Sequence, residues 1–228
     1  MKNNRKISLP LLIVACLLPT IFTYLAFSMP GYEKTIYSIS KIIIIAFPIV
    51  LWRHMCKSLA EFKKRIGWKK TNGLYGIGTG IVIFTFIIGS YYLLFPSLDA
   101  SLLYNKIKEL GLIEYFWVMA IFISLWNSFI EEYYWRAFIL EQQASYSDKH
   151  LRICVINGIL FGLHHFIILN VYFDVSLALL FTTGASVGGF LWAWLRVKQV
   201  SIIDCYISHV LADLAIMWVG WDMISRTV

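Results

Sequence analysis

The segment "YFWVMAIFISLWNSFIEEYYWRAFIL" (Tyr115–Leu140) combines a long apolar run with three charged side chains. At about 1.5 Å of rise per residue, a helix of this length would cross a hydrocarbon core about 30 Å thick. Glu131, Glu132 and Arg136 all lie in the second half of the run. A charged group at mid-bilayer costs roughly 2.5–3.5 kcal/mol on insertion scales, so these side chains require partners or a polar cavity.

The remainder of the chain also has the composition of a membrane protein. Of its 228 residues, 59% are hydrophobic and 14% are charged, whereas a typical soluble domain has about 25% charged residues. We predict an all-α fold, a polytopic transmembrane bundle of seven or eight helices that forms a single integral membrane domain over residues 1–228. The seven predicted spans are Ile7–Met29, Thr35–Trp52, Leu74–Phe95, Tyr115–Leu140, Ile153–Asn170, Ser176–Leu195 and Gln199–Trp221.

The net charge of +7 comes mainly from basic residues in short loops beside apolar runs. These loops are the N-terminal tail with Lys2, Arg5 and Lys6, the segment Arg53–Lys70, and Arg196 with Lys198. If seven helices alternate, all three loops fall on one side, and basic loops face the cytoplasm. We therefore predict a multi-pass protein of the cell membrane with a cytoplasmic N-terminus, the lipid bilayer as a partner and no nucleic-acid partner.

Two segments leave a choice between two interpretations, and a pair of glycines has a single one. The tail "MKNNRK" could open a signal peptide, but the apolar run behind it exceeds the usual length of about 7–15 residues, which favours a retained helix. The tract Leu59–Trp68 fits either an amphipathic helix on an anionic leaflet or a plain basic loop. Gly184 and Gly188 have the spacing of a close helix-packing motif.

Three of the predicted spans carry ionisable residues deep inside. Besides Glu131, these include His165 and His209. At about 1.5 Å per residue, Glu131 lies ~13 Å, His165 ~20 Å and His209 ~15 Å from the presumed cytoplasmic helix ends. Glu132 with Arg136 and His209 with Asp213 are each four residues apart, so each pair shares a helix face. This arrangement predicts one polar site within the bundle.

Such a set of residues suits acid–base chemistry. A carboxylate beside histidines can take a proton from water and so generate a nucleophile, and a second histidine can stabilise the oxyanion that follows. Two histidines with carboxylates are also a plausible zinc shell. The helical HExxH signature is absent, so a zincin-type site is not supported. The cofactor, either zinc or no metal at all, stays open at this point.

Three motifs in order resemble those of the CPBP family of intramembrane proteases, also known as the Abi or type II CAAX prenyl endopeptidase-like family. Its pattern of EExxxR, FxxxH and HxxxN corresponds here to Glu131-Glu132-x-x-x-Arg136, Phe161-x-x-x-His165 and His209-x-x-x-Asp213. The resemblance implies a catalytic core at about residues 115–221. It also implies an endopeptidase that cleaves a membrane-associated peptide or protein, as in CAAX processing or bacteriocin processing.

The resemblance also implies a role for each motif residue. Glu131 and His165 would activate water, His209 and Asp213 would face the oxyanion, and Glu132 with Arg136 would support the site. The chain departs from the pattern at Asp213, where asparagine is commoner. An ionised carboxylate cannot donate a hydrogen bond to an oxyanion. Asp213 must therefore be protonated, orient His209 or bind a metal. His164, about 100° away from His165 around the helix, is expected to pack or to bond another helix.

Two other classes of function fit part of the pattern. Acidic, histidine and arginine residues in one membrane layer also describe a proton-coupled transporter, although no inverted repeat or pair of broken helices is present in the sequence. A non-catalytic immunity or scaffold relative would be favoured by loss of Glu131 or His165, and both residues are intact. The protease is therefore the main prediction.

Overall fold

A computed structural model describes residues 6–29, 31–95 and 98–227, apart from the side chain of Glu33. Lys2 and Arg5 of the basic tail lie outside the described residues. Every regular element in these ranges is a helix. The elements are α1 (Leu9–Ser28), α2 (Glu33–Met55), α3 (Leu59–Arg65), α4 (Leu74–Leu94), α5 (Ser101–Glu109), α6 (Phe116–Glu131), a π-helix (Glu132–Ile139), α7 (Leu140–Ala144), α8 (His150–Tyr172), α9 (Val175–Val197) and α10 (Ile202–Thr227).

Six helices in the described part of the chain are long and apolar enough to cross a membrane. They are α1, α2 from Lys34 onward, α4, α8, α9 and α10. They correspond to six of the seven predicted spans, so the all-helical polytopic fold is confirmed. The remaining segment, Tyr115–Leu140, is helical from Phe116 to Ala144 but changes from α to π and back. No single α-helix in it reaches membrane length, and the count of seven stays a prediction.

The chain divides into two compact units. The first joins the stretch up to Lys69 with Ile130–Ile202, and the second joins Lys70–Phe129 with the stretch from Ile203 onward. The boundary near Phe129 falls within the helical run that begins with α6. This run therefore contributes to both units.

In the first unit, α1 and α2 each contain an internal proline, Pro19 and Pro48. Proline has no backbone N–H and therefore leaves a helical carbonyl without its usual donor. The carbonyl that Pro48 affects is that of Ile44, and the carbonyl of the next residue, Ile45, accepts a hydrogen bond from the Tyr133 hydroxyl of the π-helix over 2.9 Å. Contacts of this kind attach the π-helix to the N-terminal helices.

Helices α8 and α9 of the first unit form a close antiparallel hairpin. Asp174 begins α9, where its carboxylate accepts hydrogen bonds from the backbone N–H groups of Ser176 (2.8 Å) and Leu177 (3.2 Å). The close approach is made at glycines, since a Cβ on Gly158 would lie 2.6 Å from the carbonyl oxygen of Ser186.

The packing prediction for Gly184 and Gly188 is wrong in this structure. A Cβ on Gly184 would meet no atom within 4 Å, and the nearest atoms to one on Gly188 belong to Trp192 of the same helix. The face of α9 that meets α8 is the one carrying Gly189, where an added Cβ would lie 2.9 Å from Phe161. Glycine does mediate the packing of α9, but the residue that contacts α8 is Gly189 rather than Gly184 or Gly188.

The tract after α2 forms a short helix rather than a plain loop. Ser58 begins α3, where its hydroxyl accepts from the backbone N–H of Glu61, and Lys63 and Lys64 are exposed. Arg65 points inward instead and pairs with Glu141 over 2.6 Å. The helix is therefore attached to the first unit by a mostly buried ion pair.

In the second unit, α4 packs closely on α10. A Cβ on Gly76 would lie 2.6 Å from the carbonyl oxygen of Asp204, and one on Gly80 would lie 2.5 Å from Leu211. The Asp204 carboxylate accepts a hydrogen bond from the Gly76 backbone N–H over 3.0 Å. Asp204, one of the ionisable residues of the last span, thus has a structural partner.

Candidate active site

The first motif lies where the helix changes form. Glu131 is the last residue of α6, and Glu132 and Arg136 belong to the π-helix. In a π-helix each N–H bonds the carbonyl five residues earlier, so the turn is wider than in an α-helix. Such segments are rare and are frequent at functional sites. Glu132 and Arg136 remain on one face, with 3.5 Å between Glu132 Oε1 and Arg136 Nε.

Arg136 is enclosed by α8 and α9. Its guanidinium carbon lies 4.3 Å from the centre of the Phe161 ring and 5.2 Å from that of Trp192. One guanidinium nitrogen donates to the carbonyl of Gly189 over 3.2 Å. Planar stacking together with directional hydrogen bonding suits arginine and not lysine. The buried pair of Glu132 and Arg136 therefore fixes three helices around the motif.

Glu131 faces the two adjacent histidines of α8. Glu131 Oε1 lies 3.4 Å from His164 Nε2. Ligand-type atoms of Glu131, His164 and His165 all lie within 4.8 Å of one another. Glu131 and His164 are buried, and His165 is half-buried. A carboxylate and two imidazoles therefore meet in a single cluster within the first unit.

Neighbouring groups hold each of the two imidazole rings in place. His165 Nδ1 lies 2.9 Å from the carbonyl of Phe161, so Nδ1 donates and the neutral ring presents Nε2 as an acceptor. The His164 ring stacks on Trp135 at 11°, with 5.9 Å between the ring centres. His164 Nδ1 has no hydrogen-bond partner among the described residues. Both rings are thus oriented before any substrate is bound.

The donor set of this cluster fits a catalytic metal. Two imidazoles and one carboxylate are the ligands of several zinc hydrolases, which keep a fourth position for water or substrate. A ligating histidine normally donates its other ring N–H to a carbonyl or carboxylate, as His165 does to Phe161. The residues of this chain that would hold a metal are Glu131, His164 and His165.

The third motif belongs to the second unit. His209 Nε2 lies 3.6 Å from Asp213 Oδ1, one turn further along α10. The hydroxyl of Ser128, on α6, donates to the other oxygen of Asp213 over 2.6 Å. His209 and Ser128 are buried, and Asp213 is half-buried. The carboxylate that replaces the commoner asparagine therefore has both a histidine and a serine beside it.

The predicted site residues are thus found in two groups. Glu131, Glu132, Arg136 and His165 lie in the first unit, and His209 with Asp213 lie in the second. Their joint use in one reaction stays a prediction. Sequence reasoning left His164 outside the site, although the helix–helix hydrogen bond expected of it does exist, to Glu131. The signal was the pair of adjacent histidines, both of which place a ring nitrogen near Glu131.

Asn157 lies about two turns before His165 on α8 and bonds to the helical run that carries the first motif. Its amide nitrogen lies 3.4 Å from the carbonyl of Trp135 and 3.2 Å from the side-chain oxygen of Gln143. The Trp135 carbonyl also accepts from the N–H of Leu140, at the end of the π-helix. Asn157 therefore supports the unusual backbone around the motif.

Comparison with known families agrees with the resemblance predicted from the three motifs. Residues 113–215 match a family model described as Type II CAAX prenyl endopeptidase Rce1-like. All three motifs, from Glu131 to Asp213, fall inside that range. No curated protein and no solved structure matches the chain. Over residues 113–215, the chain is therefore similar to the Rce1-like type II CAAX prenyl endopeptidases, a match that supports intramembrane endopeptidase activity in general.

Proposed function

We propose that this protein hydrolyses a peptide bond in a membrane-associated peptide or protein with a water molecule activated by Glu131 and the adjacent histidines. The observation that carries the proposal is the buried contact of 3.4 Å between Glu131 and His164, with His165 in the same cluster. A buried carboxylate beside oriented imidazoles has the geometry that general base catalysis requires.

Glu131 and one water molecule account for every proton and bond in the hydrolysis. Glu131 takes a proton from water, and the water oxygen forms a bond to the scissile carbonyl carbon, which leaves an oxyanion. When the tetrahedral intermediate collapses, the carbon–nitrogen bond breaks, and Glu131 returns the proton to the leaving amine. Glu132 and Arg136 hold Glu131 in place through the π-helix. His209 and Asp213 are assigned to the oxyanion by the resemblance alone.

A zinc ion held by Glu131, His164 and His165 would supply the acidity that activates water, and Glu131 would then be a ligand in place of the general base. The contribution of a metal can be measured directly. Purified protein in detergent is stripped with chelator and assayed for peptide release before and after zinc is restored. Full activity in the stripped protein assigns water activation to the side chains. Activity that is lost with the metal and regained on its return assigns a part to the ion.

The substrate class follows from the family and the fold. The family description names a CAAX prenyl endopeptidase, so we propose a peptide tail at the membrane surface, with a prenylated CAAX tail as the first candidate. The test compares two fluorescence-quenched reporter peptides that end in a CAAX sequence, one farnesylated and one not. We expect the protein to cleave the farnesylated reporter faster and the Glu131→Gln variant to cleave neither.

A second measurement covers substrates other than CAAX tails. Membranes of cells that express the protein or its Glu131→Gln variant at equal levels are compared by mass spectrometry of released peptides. At least one released peptide should depend on Glu131. Identical peptide sets, together with Glu131-dependent uptake of a solute, would instead favour a proton-coupled transporter.

We also propose a location in the cell membrane with a cytoplasmic N-terminus. The support is the run of exposed lysines at Lys63, Lys64, Lys69 and Lys70, because basic loops remain in the cytoplasm. A reporter enzyme that is active only outside the cytoplasm, fused after Trp68, should be silent. The same reporter fused after Asp174 should be active.

A further inference from the structure

Asp213 differs from the asparagine that is commoner in the family pattern, and its contacts suggest why a carboxylate works here. Ser128 Oγ donates to Asp213 Oδ2 over 2.6 Å, while Asp213 Oδ1 faces His209 Nε2 at 3.6 Å. Ser128 is fully buried and approaches from α6, whereas the other two residues share α10. Three residues of the second unit thus form a chain from serine to aspartate to histidine.

The lengths of these contacts indicate what Asp213 does. At 2.6 Å, the Ser128 hydroxyl donates to Asp213 Oδ2 over a short distance that an ionised carboxylate accommodates well. An ionised carboxylate only accepts hydrogen bonds, so it cannot donate to an oxyanion as an asparagine amide would. Its second oxygen lies 3.6 Å from His209 Nε2, which is ion-pair distance and slightly longer than a hydrogen bond, so a small side-chain movement would let it accept the Nε2–H. A carboxylate in this position orients an imidazole and stabilises positive charge on it.

We propose that Ser128 is a positioning residue, which holds Asp213 in the rotamer that fixes His209 as its Nε2–H tautomer. Without the hydroxyl, the Asp213 side chain loses a donor and its carboxylate turns away from the ring. The effect on hydrolysis rests on the proposed function. The effect on the tautomer of His209 does not, because it can be observed without substrate.

The first test is nitrogen NMR of the full chain in detergent with ¹⁵N-labelled histidine. The chain has five histidines, and the signals of His209 are assigned by their loss in His209→Gln. We expect the Nε2–H tautomer in the wild type and in Ser128→Thr, which keeps a hydroxyl. In Ser128→Ala we expect a mixture of tautomers. An Nδ1–H tautomer in the wild type, or an unchanged spectrum in Ser128→Ala, would overturn the proposal.

Ser124 provides a matched control on the same helix. It lies one turn before Ser128, is also fully buried, and its hydroxyl has no hydrogen-bond partner among the described residues. Ser124→Ala removes the same atom from the same helix, so it should leave the His209 spectrum unchanged. If Ser124→Ala shifts the tautomer as much as Ser128→Ala does, the effect is general packing and the proposal fails.

The second test follows cleavage of the farnesylated reporter. Ser128→Ala should lower kcat about tenfold with little change in KM, because only the orientation of a reacting group is altered. Ser128→Thr should restore most of the rate. In an Asp213→Ala background the same serine substitution should have no further effect, since the acceptor that Ser128 holds is gone. A wild-type kcat in Ser128→Ala would overturn the proposal, whereas failure of the wild type to cleave would count only against the proposed substrate.

Discussion

Tyr134 donates a hydrogen bond from its hydroxyl to the backbone carbonyl of Ala15 over 2.8 Å. Ala15 lies four residues before Pro19, so its carbonyl is the one that loses its helical N–H donor to the proline. Tyr134 lies two residues after Glu132 and belongs to the π-helix. The interruption in α1 is therefore satisfied by the π-helix that carries the first motif.

The contribution of Tyr134 to stability should therefore depend on the presence of Pro19. Tyr134→Phe keeps the ring and leaves the Ala15 carbonyl without a donor, so we expect a loss of about 1–3 kcal/mol, the usual effect of a buried unsatisfied group. The measurement is thermal unfolding in detergent by tryptophan fluorescence. Pro19→Ala restores an N–H at that carbonyl, so Tyr134→Phe should cost clearly less in that background. Equal costs in both backgrounds would contradict this explanation.

The buried contacts of Glu132 and Arg136 predict that even a conservative substitution of either residue lowers stability or activity. Glu132→Gln leaves the Arg136 charge buried and should destabilise the protein by about 3–5 kcal/mol. Arg136→Lys keeps the charge but loses the stacking on Phe161 and Trp192 and the geometry of the bond to Gly189, so reporter cleavage should fall strongly. Unfolding and cleavage are measured on the same samples.

The matched control is Lys106→Ala, which removes a cation from an exposed pair with Glu109. Exposed pairs contribute little to stability, so this variant should match the wild type in both assays. Wild-type stability in Glu132→Gln would show that the buried pair is not required to hold the π-helix.

The cluster of Glu131, His164 and His165 predicts a zinc-binding site that can be measured independently of catalysis. Stripped protein should bind added zinc, and His164→Ala and His165→Ala should each weaken binding by at least about tenfold, because each removes a ligand. The readout is zinc retained after dialysis against a competing chelator. His150, exposed at the start of α8, is the control, and His150→Ala should bind as the wild type does. Unaltered binding in both cluster variants would contradict the site.

The helical membrane fold was predictable because hydropathy and loop charge depend on composition over about 20 residues, which a sequence displays directly. The change from α to π at Glu132 was not. It depends on tertiary partners, including the bond from Asn157 to the Trp135 carbonyl. The exclusion of His164 has a different cause. His164 does lie about 100° from His165 around α8, but its ring is long enough to reach Glu131 from there, which a facing direction alone does not reveal.

The candidate residues themselves followed from polar side chains in apolar spans, since each such group needs a reason to be there. The residues that contact these candidates could not be predicted from the sequence. Ser128 is one of several serines in the chain, and nothing in its spacing separates it from Ser124. Arg65 likewise looked like one more cation of a basic loop, although it is buried against Glu141. Such pairings join residues distant in sequence, and only the folded chain identifies them.

The ion pair of Arg65 and Glu141 leads to a prediction with a distinct pH dependence. Burial raises the pKa of the Glu141 carboxyl, and Arg65 opposes that rise. An acid whose pKa is higher in the folded state binds more protons folded than unfolded, so its contribution to stability falls as pH rises above its ordinary pKa. Arg65→Met removes the opposing charge. This variant should lose about 3 kcal/mol or more near neutral pH and should become less stable as pH increases.

The double variant separates the ion pair from simple packing. Arg65→Met with Glu141→Gln leaves no buried charge, so its stability should return close to that of the wild type and the added pH dependence should disappear. Unfolding temperatures are measured from about pH 5 to 8, because this range lies above the ordinary pKa of a glutamate and includes the raised pKa expected in the folded state. A double variant as unstable as Arg65→Met alone would mean that the methylene groups of Arg65, and not its charge, attach α3 to the first unit.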